Sequence, residues 1–262
     1  MKFLKVLPEK FPFVKVLGFS RNFGQHIAVS AGYAHASGEY VGMLNVDMED
    51  HPSQIPKVLE YLKANEFDLV TGIRKERHDT WLNKSTSLMF NYVLNKLTGQ
   101  NVPLNLATLR VMNRTFTNAY NSLEEKSRFI PGLENWLGFS HGYLEIEHRP
   151  RKKGKSSYNF SRRLKMAMDS IISFSDLPLR ITAAFGFIIA IVGFLLILAL
   201  IALKIFVLNF QAGYLSTISA IVFIGGIQIM VIGTASLYIG RILREVQNRP
   251  LFIIKEKINF HE

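Results

Sequence analysis

The sequence predicts an α/β domain followed by a two-helix membrane hairpin. Three observations carry this reading. Short apolar runs alternate with helix-patterned segments from Phe13 to Leu97, and such alternation argues for a mostly parallel sheet. Two uncharged apolar stretches come later, Ile181 to Leu203 and Leu215 to Ile239. Basic residues flank that pair: Arg162, Arg163, Lys165 and Arg180 before it, and Arg241, Arg244, Arg249, Lys255 and Lys257 after it.

Taken in order, Phe13–Phe19 is a short strand candidate. Gln25–His35 reads as a helix with Ala28, Ala31 and Ala34 at close-packing positions. Tyr40–Leu44 reads as a buried strand. Ser53–Ala64 is a helix, because Ile55, Val58, Leu59 and Leu62 recur at helical spacing. Phe67–Gly72 is another strand. Trp81–Leu97 is a helix ended by Thr98-Gly99. Ser161–Leu179 carries Leu164, Met168, Ile171 and Ile172 on one face, with basic residues at its start. It reads as a helix lying in the membrane interface, with packing on the soluble domain as the alternative.

The stretch Ile181–Leu203 spans about 30 Å as a helix, the thickness of a bilayer core. Leu215–Ile239 is the second span. The linker between them holds only Lys204, so the positive-inside rule puts both chain ends in the cytoplasm. The domain plan is therefore 1–160 soluble, 161–180 interfacial, 181–240 membrane and 241–262 a basic cytoplasmic tail. Gly226, Gly233 and Gly240 recur every seven residues along the second span. Small residues on one stripe let helices approach closely in lipid, and a homo-oligomer through the spans is expected. Ordinary glycine usage is the alternative.

Of 262 residues, about 60 belong to the membrane, which leaves roughly one to one and a half soluble domains. No secretory leader is expected, because Pro8-Glu9-Lys10 interrupts the apolar start too early. There is no cysteine, which excludes disulfides and thiolate metal sites. The seven histidines form no His-x-x-x-His pair, so histidine-based zinc chemistry is not expected. A net charge of +11 suits either nucleic acid or anionic lipid. Its position around the apolar spans selects lipid and sets nucleic acid aside.

Chemistry points first to the turn after Tyr40–Leu44: Asn45-Val46-Asp47-Met48-Glu49-Asp50-His51-Pro52. Hard ions such as Mg²⁺ or Mn²⁺ take one or two carboxylates plus substrate phosphates. Open α/β sheets bind ligands at strand C-terminal ends. A solvated turn capping the next helix is the competing explanation. Arginines follow later strands: Arg74 and Arg77, Arg110 and Arg114, and Arg151 just before Gly154-Lys155-Ser156-Ser157-Tyr158. Guanidinium forks recognise phosphate, and a Gly-x-Ser-Ser turn offers N–H groups and hydroxyls to the same anion. Singly, each is more often a surface charge. Together they suit an anionic phosphate substrate.

These residues occur in an order that resembles the membrane-anchored polyprenyl-phosphate glycosyltransferases of family 2. The likeness rests on Ser20-Arg21-Asn22-Phe23-Gly24, Ala31-Gly32, the turn Asn45 to Pro52, Gly72-Ile73-Arg74, Ser87 and Leu109-Arg110-Val111. It continues through Trp136-Leu137-Gly138-Phe139, Gly154 to Tyr158, Phe174 to Arg180, Gly240-Arg241 and Glu245 to Pro250. The resemblance implies a GT-A type, Rossmann-like nucleotide-sugar domain. It further implies inverting transfer of a sugar from a UDP- or GDP-sugar to a polyprenyl phosphate at the inner membrane, for cell-envelope glycan or lipid modification.

By the same resemblance Asp47 and Asn45 hold Mg²⁺ or Mn²⁺, and Asn45, Asp47, Glu49 and Arg110 bind the donor. Lys84, Ser87, Arg151, Gly154 and Ser156 meet the acceptor phosphate, and Asp47, Arg74 and Arg151 are catalytic. The sequence departs from the family in several places. The family's first strand and its Asp-Asp-Gly-Ser turn have no counterpart here. Asn45 stands at the first metal carboxylate, Glu49 where many members have Gln, and Asn105 and Thr108 where many have acids. The alternative is a truncated, non-catalytic membrane relative that binds lipid phosphate or pairs with a partner.

Overall fold

The computed structural model describes residues 2–47, 49–74, 103, 105–147, 177–206 and 213–260. They fall into two compact units, Met1–Lys165 with Asn248–Glu262, and Met166–Gln247. Helix α1 is Lys2–Lys10 and strand β1 Val16–Phe19. Helix α2 is Gln25–His35, β2 Tyr40–Met43, α3 Ile55–Ala64 and β3 Leu69–Arg74. Strand β4 is Leu106–Asn113, α4 Arg114–Asn121, α5 Ile130–Trp136 and β5 His141–Ile146. The apolar helices are α6, Leu177–Phe206, and α7, Tyr214–Val246, and β6 is Ile254–Ile258.

The α/β class predicted from sequence is what the first unit shows, but its sheet is mixed. Four strands run in the order β2-β4-β3-β5. β4 is antiparallel to both β2 and β3, and β5 is parallel to β3. The expectation of a mostly parallel sheet fails because Leu106–Asn113, read only as a carrier of arginines, is itself a strand inserted between β2 and β3. Flanking one antiparallel neighbour makes β2 and β3 run the same way, so their C-terminal ends share one edge. Met43 and Thr71 both lie opposite Arg110 there.

Local chemistry sets these elements. Asn113 caps α4 by accepting the Phe116 N–H at 2.8 Å, which satisfies a donor that helix geometry leaves free. His51 accepts the Ser53 N–H at 3.2 Å and Pro52 opens a 3₁₀ turn over Pro52–Gln54. The helix expected over 53–64 therefore begins with that tighter turn. α5 ends at Gly138, whose φ of 71° suits the left-handed position after a helix.

Val58 and Leu62 of α3 pack against Val70, Ala107, Leu109, Val111 and Ile146 of the sheet. Burial of each large side chain contributes about 1.5–3 kcal/mol. Gly72 is needed here: a Cβ at this position would meet Ile146 Cδ1 at 2.7 Å and Ala107 Cβ at 3.3 Å.

The stretch read as a basic tail includes β6, which pairs antiparallel with β1, Val16 opposite Ile258 and Phe19 opposite Ile254. The Asn259 amide donates to the Pro12 and Val14 carbonyls at 2.5 and 2.9 Å. Lys5 of α1 reaches Glu256 at 2.6 Å. This ribbon forms a separate two-stranded sheet.

In the second unit, α6 and α7 pack side by side. Windows Pro178–Leu195 and Phe223–Val246 have mean hydropathies of 2.0 and 1.6, so both helices are long and apolar enough to cross a membrane. Three of their hydroxyls donate back to the helix backbone, Thr182 to Pro178 O, Thr234 to Met230 O and Ser236 to Ile232 O, an arrangement suited to an apolar solvent. A Cβ at Gly226, Gly233 or Gly240 would meet no described atom within 4 Å. The helix expected over Trp81–Leu97 and most of that over Ser161–Leu179 lie outside the described residues; Leu177–Leu179 form the first turn of α6.

Candidate active site

The acidic turn leaves β2 at the shared strand edge, and its three acids take different roles. Asp50 turns inward and is 1% exposed. Its Oδ2 accepts the Thr108 N–H at 2.9 Å, the Thr108 hydroxyl at 2.6 Å and the Leu109 N–H at 3.2 Å. Arg74 Nε donates to its Oδ1 at 3.3 Å. Burial pushes the Asp50 carboxyl up, but the Thr108 hydroxyl, the Arg74 charge and the Thr108 N–H outweigh it. The group stays below the usual carboxylate value. Asp50 thus ties the turn to β4 and β3 at once.

Glu49 sits nearer solvent and pairs with Arg74, Oε2 to Nη2 at 3.2 Å. Arg74 is the last residue of β3, so strand geometry rather than a loop aims it at the turn. Asp47 accepts the Glu49 N–H at 3.3 Å, an Asx-type turn. Asn45 Oδ1 accepts from Gln25 Nε2 at 3.1 Å, which brings the first residue of α2 to the turn. Upstream, Asn22 Oδ1 accepts the Gly24 N–H at 2.9 Å, and Gly24 takes a φ of 92° just before α2.

Among the described residues no three His, Asp or Glu side chains converge as a metal cage. Asp50 is spent on β4, and Glu49 faces Arg74. The pair read from the sequence as metal ligands, Asp47 and Asn45, already accepts from the Glu49 N–H and from Gln25 Nε2. That sparse set fits a hard divalent ion whose other ligands come from substrate phosphate and water, the usual arrangement for Mg²⁺. It does not fit an all-protein cage.

Arg110, read from sequence as a donor ligand, is 5% exposed. Its Nη1 meets Glu134 Oε2 at 2.5 Å and its Nε donates to the Thr108 carbonyl at 3.3 Å. Burial alone lowers the Arg110 basicity, but the Glu134 charge reverses the direction and holds it above the ordinary arginine value. Burial raises the Glu134 carboxyl, which the Arg110 charge only partly offsets. Glu134 Oε1 has no hydrogen-bond partner among the described residues. Arg114 donates to the carbonyls of Ala36 and Gly38 and so braces the loop between α2 and β2.

His141 lies beside this pair. Its Nε2 meets the Thr71 hydroxyl at 2.9 Å and its Nδ1 the Tyr143 hydroxyl at 3.2 Å. Burial, then the Arg110 charge, lowers it to about 4. Lys84, Ser87, Arg151, Gly154 and Ser156, the expected acceptor-phosphate set, lie outside the described residues, as does Arg77.

The structure therefore brings Asn45, Asp47, Glu49 and Arg74 to one edge and sets Arg110 behind them against Glu134. Sequence reasoning missed the clamp on Asp50 by Thr108, and it missed Glu134. Neither residue type nor spacing signals a contact between elements so distant in sequence.

The acidic turn and Arg74 thus lie at the C-terminal edge of β2 and β3, where α/β sheets bind ligands. Comparison makes the class specific. The pattern of glycosyl transferase family 2 matches residues 2–120. The chain is 34% identical over 245 residues to an uncharacterized glycosyltransferase of Synechocystis, covering 93% of this chain and 76% of that one. It is 35% identical over 254 residues to the SfII prophage-derived bactoprenol glucosyl transferase of Shigella flexneri, 97% of this chain and 82% of the relative. It is 32% identical over 243 residues to the undecaprenyl-phosphate 4-deoxy-4-formamido-L-arabinose transferase of Enterobacter sp. strain 638, 92% of this chain and 74% of the relative. The chain belongs to glycosyltransferase family 2 and is a transferase enzyme.

Proposed function

We propose that this chain transfers a sugar from a UDP- or GDP-sugar to a polyprenyl phosphate at the cytoplasmic face of the membrane, with inversion at the anomeric carbon. The observation that carries this reading is the meeting of Arg74 with the acidic turn at one strand edge, 3.2 Å from Glu49 and 3.3 Å from Asp50. Relatives named for bactoprenol and undecaprenyl phosphate support the choice of acceptor. A lipid phosphate oxygen attacks the anomeric carbon, the bond from that carbon to the diphosphate breaks, and the nucleoside diphosphate leaves with the electron pair. Asp47 and Asn45 are the residues that would hold a divalent ion. That ion supplies charge neutralisation at the departing diphosphate. Arg74 and Arg151 stabilise the phosphate charges. The acceptor is a phosphate monoester, largely ionised near neutral pH if it behaves like a phosphoserine, so it needs little general-base help.

The pairing of β6 with β1 supports a topology in which α6 and α7 both cross and the residues before and after them share the cytoplasmic side. Association of two copies through Gly226, Gly233 and Gly240 belongs to the same reading, as does a role in cell-envelope glycan assembly. The test is transfer of labelled sugar to polyprenyl phosphate by the full chain in nanodiscs with Mg²⁺ or Mn²⁺. Transfer is expected, with Asp47→Ala reducing it at least a hundredfold, on the scale of a lost electrostatic contact to the reacting group. Failure to bind any nucleotide sugar, with Asp47→Ala changing nothing, overturns it.

A further inference from the structure

We propose that Glu49 is a specificity-determining latch on Arg74, holding the guanidinium against the acidic turn and setting how strongly an incoming phosphate must compete for it. The proposal rests on the reading of Arg74 as a phosphate-binding residue. Arg74 faces two carboxylates that differ in freedom. Asp50 is buried and fixed by Thr108 and Leu109, so it cannot follow a departing ligand. Glu49 and Arg74 are 22% and 18% exposed in their side chains, so their pair lies at the solvent rim. A phosphate arriving from solvent meets this pair first and must replace Glu49 on the guanidinium, while Asp50 keeps the base of the side chain aimed. A neutral Gln at position 49 would leave the same fork without a competing charge. This chain therefore carries an acid where the anion arrives, and binding there is an exchange of one anionic partner for another.

Phosphate is the shared chemistry of the lipid acceptor and the nucleotide donor, and two probes separate them. The full chain in zwitterionic nanodiscs is titrated calorimetrically, without divalent ion, with farnesyl phosphate and separately with a nucleoside diphosphate. Wild type, Glu49→Gln, Arg74→Gln and the double variant are compared, with thermal midpoints confirming intact folding. Glu49→Gln is expected to tighten the probe that meets Arg74 on the order of fivefold, the upper worth of a rim ion pair. Arg74→Gln weakens that probe, and the gain from Glu49→Gln disappears on the Arg74→Gln background. If Glu49→Gln leaves both probes unchanged or weaker while Arg74→Gln still weakens one, the latch is wrong and the phosphate role of Arg74 stands. If Arg74→Gln changes neither probe, the phosphate role falls and the latch falls with it.

Discussion

Removing Glu134 tests how the interior of the sheet is held. Arg110 and Glu134 are 5% and 3% exposed, and their contact is charge-assisted at 2.5 Å. Glu134→Ala strands a buried guanidinium without its counter-charge, and breaking a buried pair from one side costs about 3–5 kcal/mol. For a domain of this size each kcal/mol moves the midpoint by about 2–4 °C, so a loss on the order of 10 °C is expected. Arg110→Met with Glu134→Leu removes both charges and fills the space with apolar volume. That double variant is expected within about 1 kcal/mol of wild type or above it. The assay is thermal unfolding in detergent micelles, followed by near-ultraviolet circular dichroism, for the two single variants and the double. A Glu134→Ala midpoint within 2 °C of wild type refutes the burial argument. Nucleotide-sugar affinity of the stable double variant then reports whether Arg110 reaches the donor: a loss of binding with an unchanged midpoint supports the donor role read from sequence.

Three further outcomes are expected. His141 has a folded value of about 4 against an ordinary 6.5, so the unfolded chain takes up a proton that the folded chain refuses. Stability from this group is complete above pH 6.5 and falls as pH drops toward 4, by up to about 3 kcal/mol; denaturant unfolding at several pH values should show His141→Gln with the shallower slope, and equal slopes would contradict it. Thr108→Val removes the hydroxyl from Asp50 and should cost about 1–2 kcal/mol, whereas Asp50→Asn, which sets an amide donor against either the Thr108 and Leu109 N–H groups or the Arg74 guanidinium, should cost more; the reverse order in thermal midpoints would sink the clamp. Gly72→Ala should lose about 1–3 kcal/mol by overpacking, and Ile146→Val should recover part of it, because Ile146 Cδ1 is the nearest obstacle; no recovery would place the strain elsewhere.

What the sequence revealed followed from periodicity. α2 is found over the residues predicted, since its three alanines repeat at helical spacing. α3 was legible from Ile55, Val58, Leu59 and Leu62, and the apolar helices from their lack of charge. β4 was hidden because Arg110 sits in the middle of its buried face. A charge there reads as surface until its partner is known, and Glu134 lies in another element entirely. The acidic turn was legible as a unit, yet the division of labour within it was not. Asp47, Glu49 and Asp50 look alike in a string, and only the approach of Thr108 and Arg74 separates a buried clamp from a rim acid. β3 extends two residues beyond its expected end, which moves Arg74 from a loop onto the strand.

The pairing of Val16 with Ile258 also sets an order of events at the ribosome. At ~5–20 residues per second, β1 is made on the order of tens of seconds before β6. Both apolar helices are synthesised in that interval. The edge of β1 that β6 will cover stays open meanwhile, the kind of edge on which chains aggregate. The ribbon can therefore close only after both apolar helices have been made, and a chain stalled within α7 carries β1 without its partner strand.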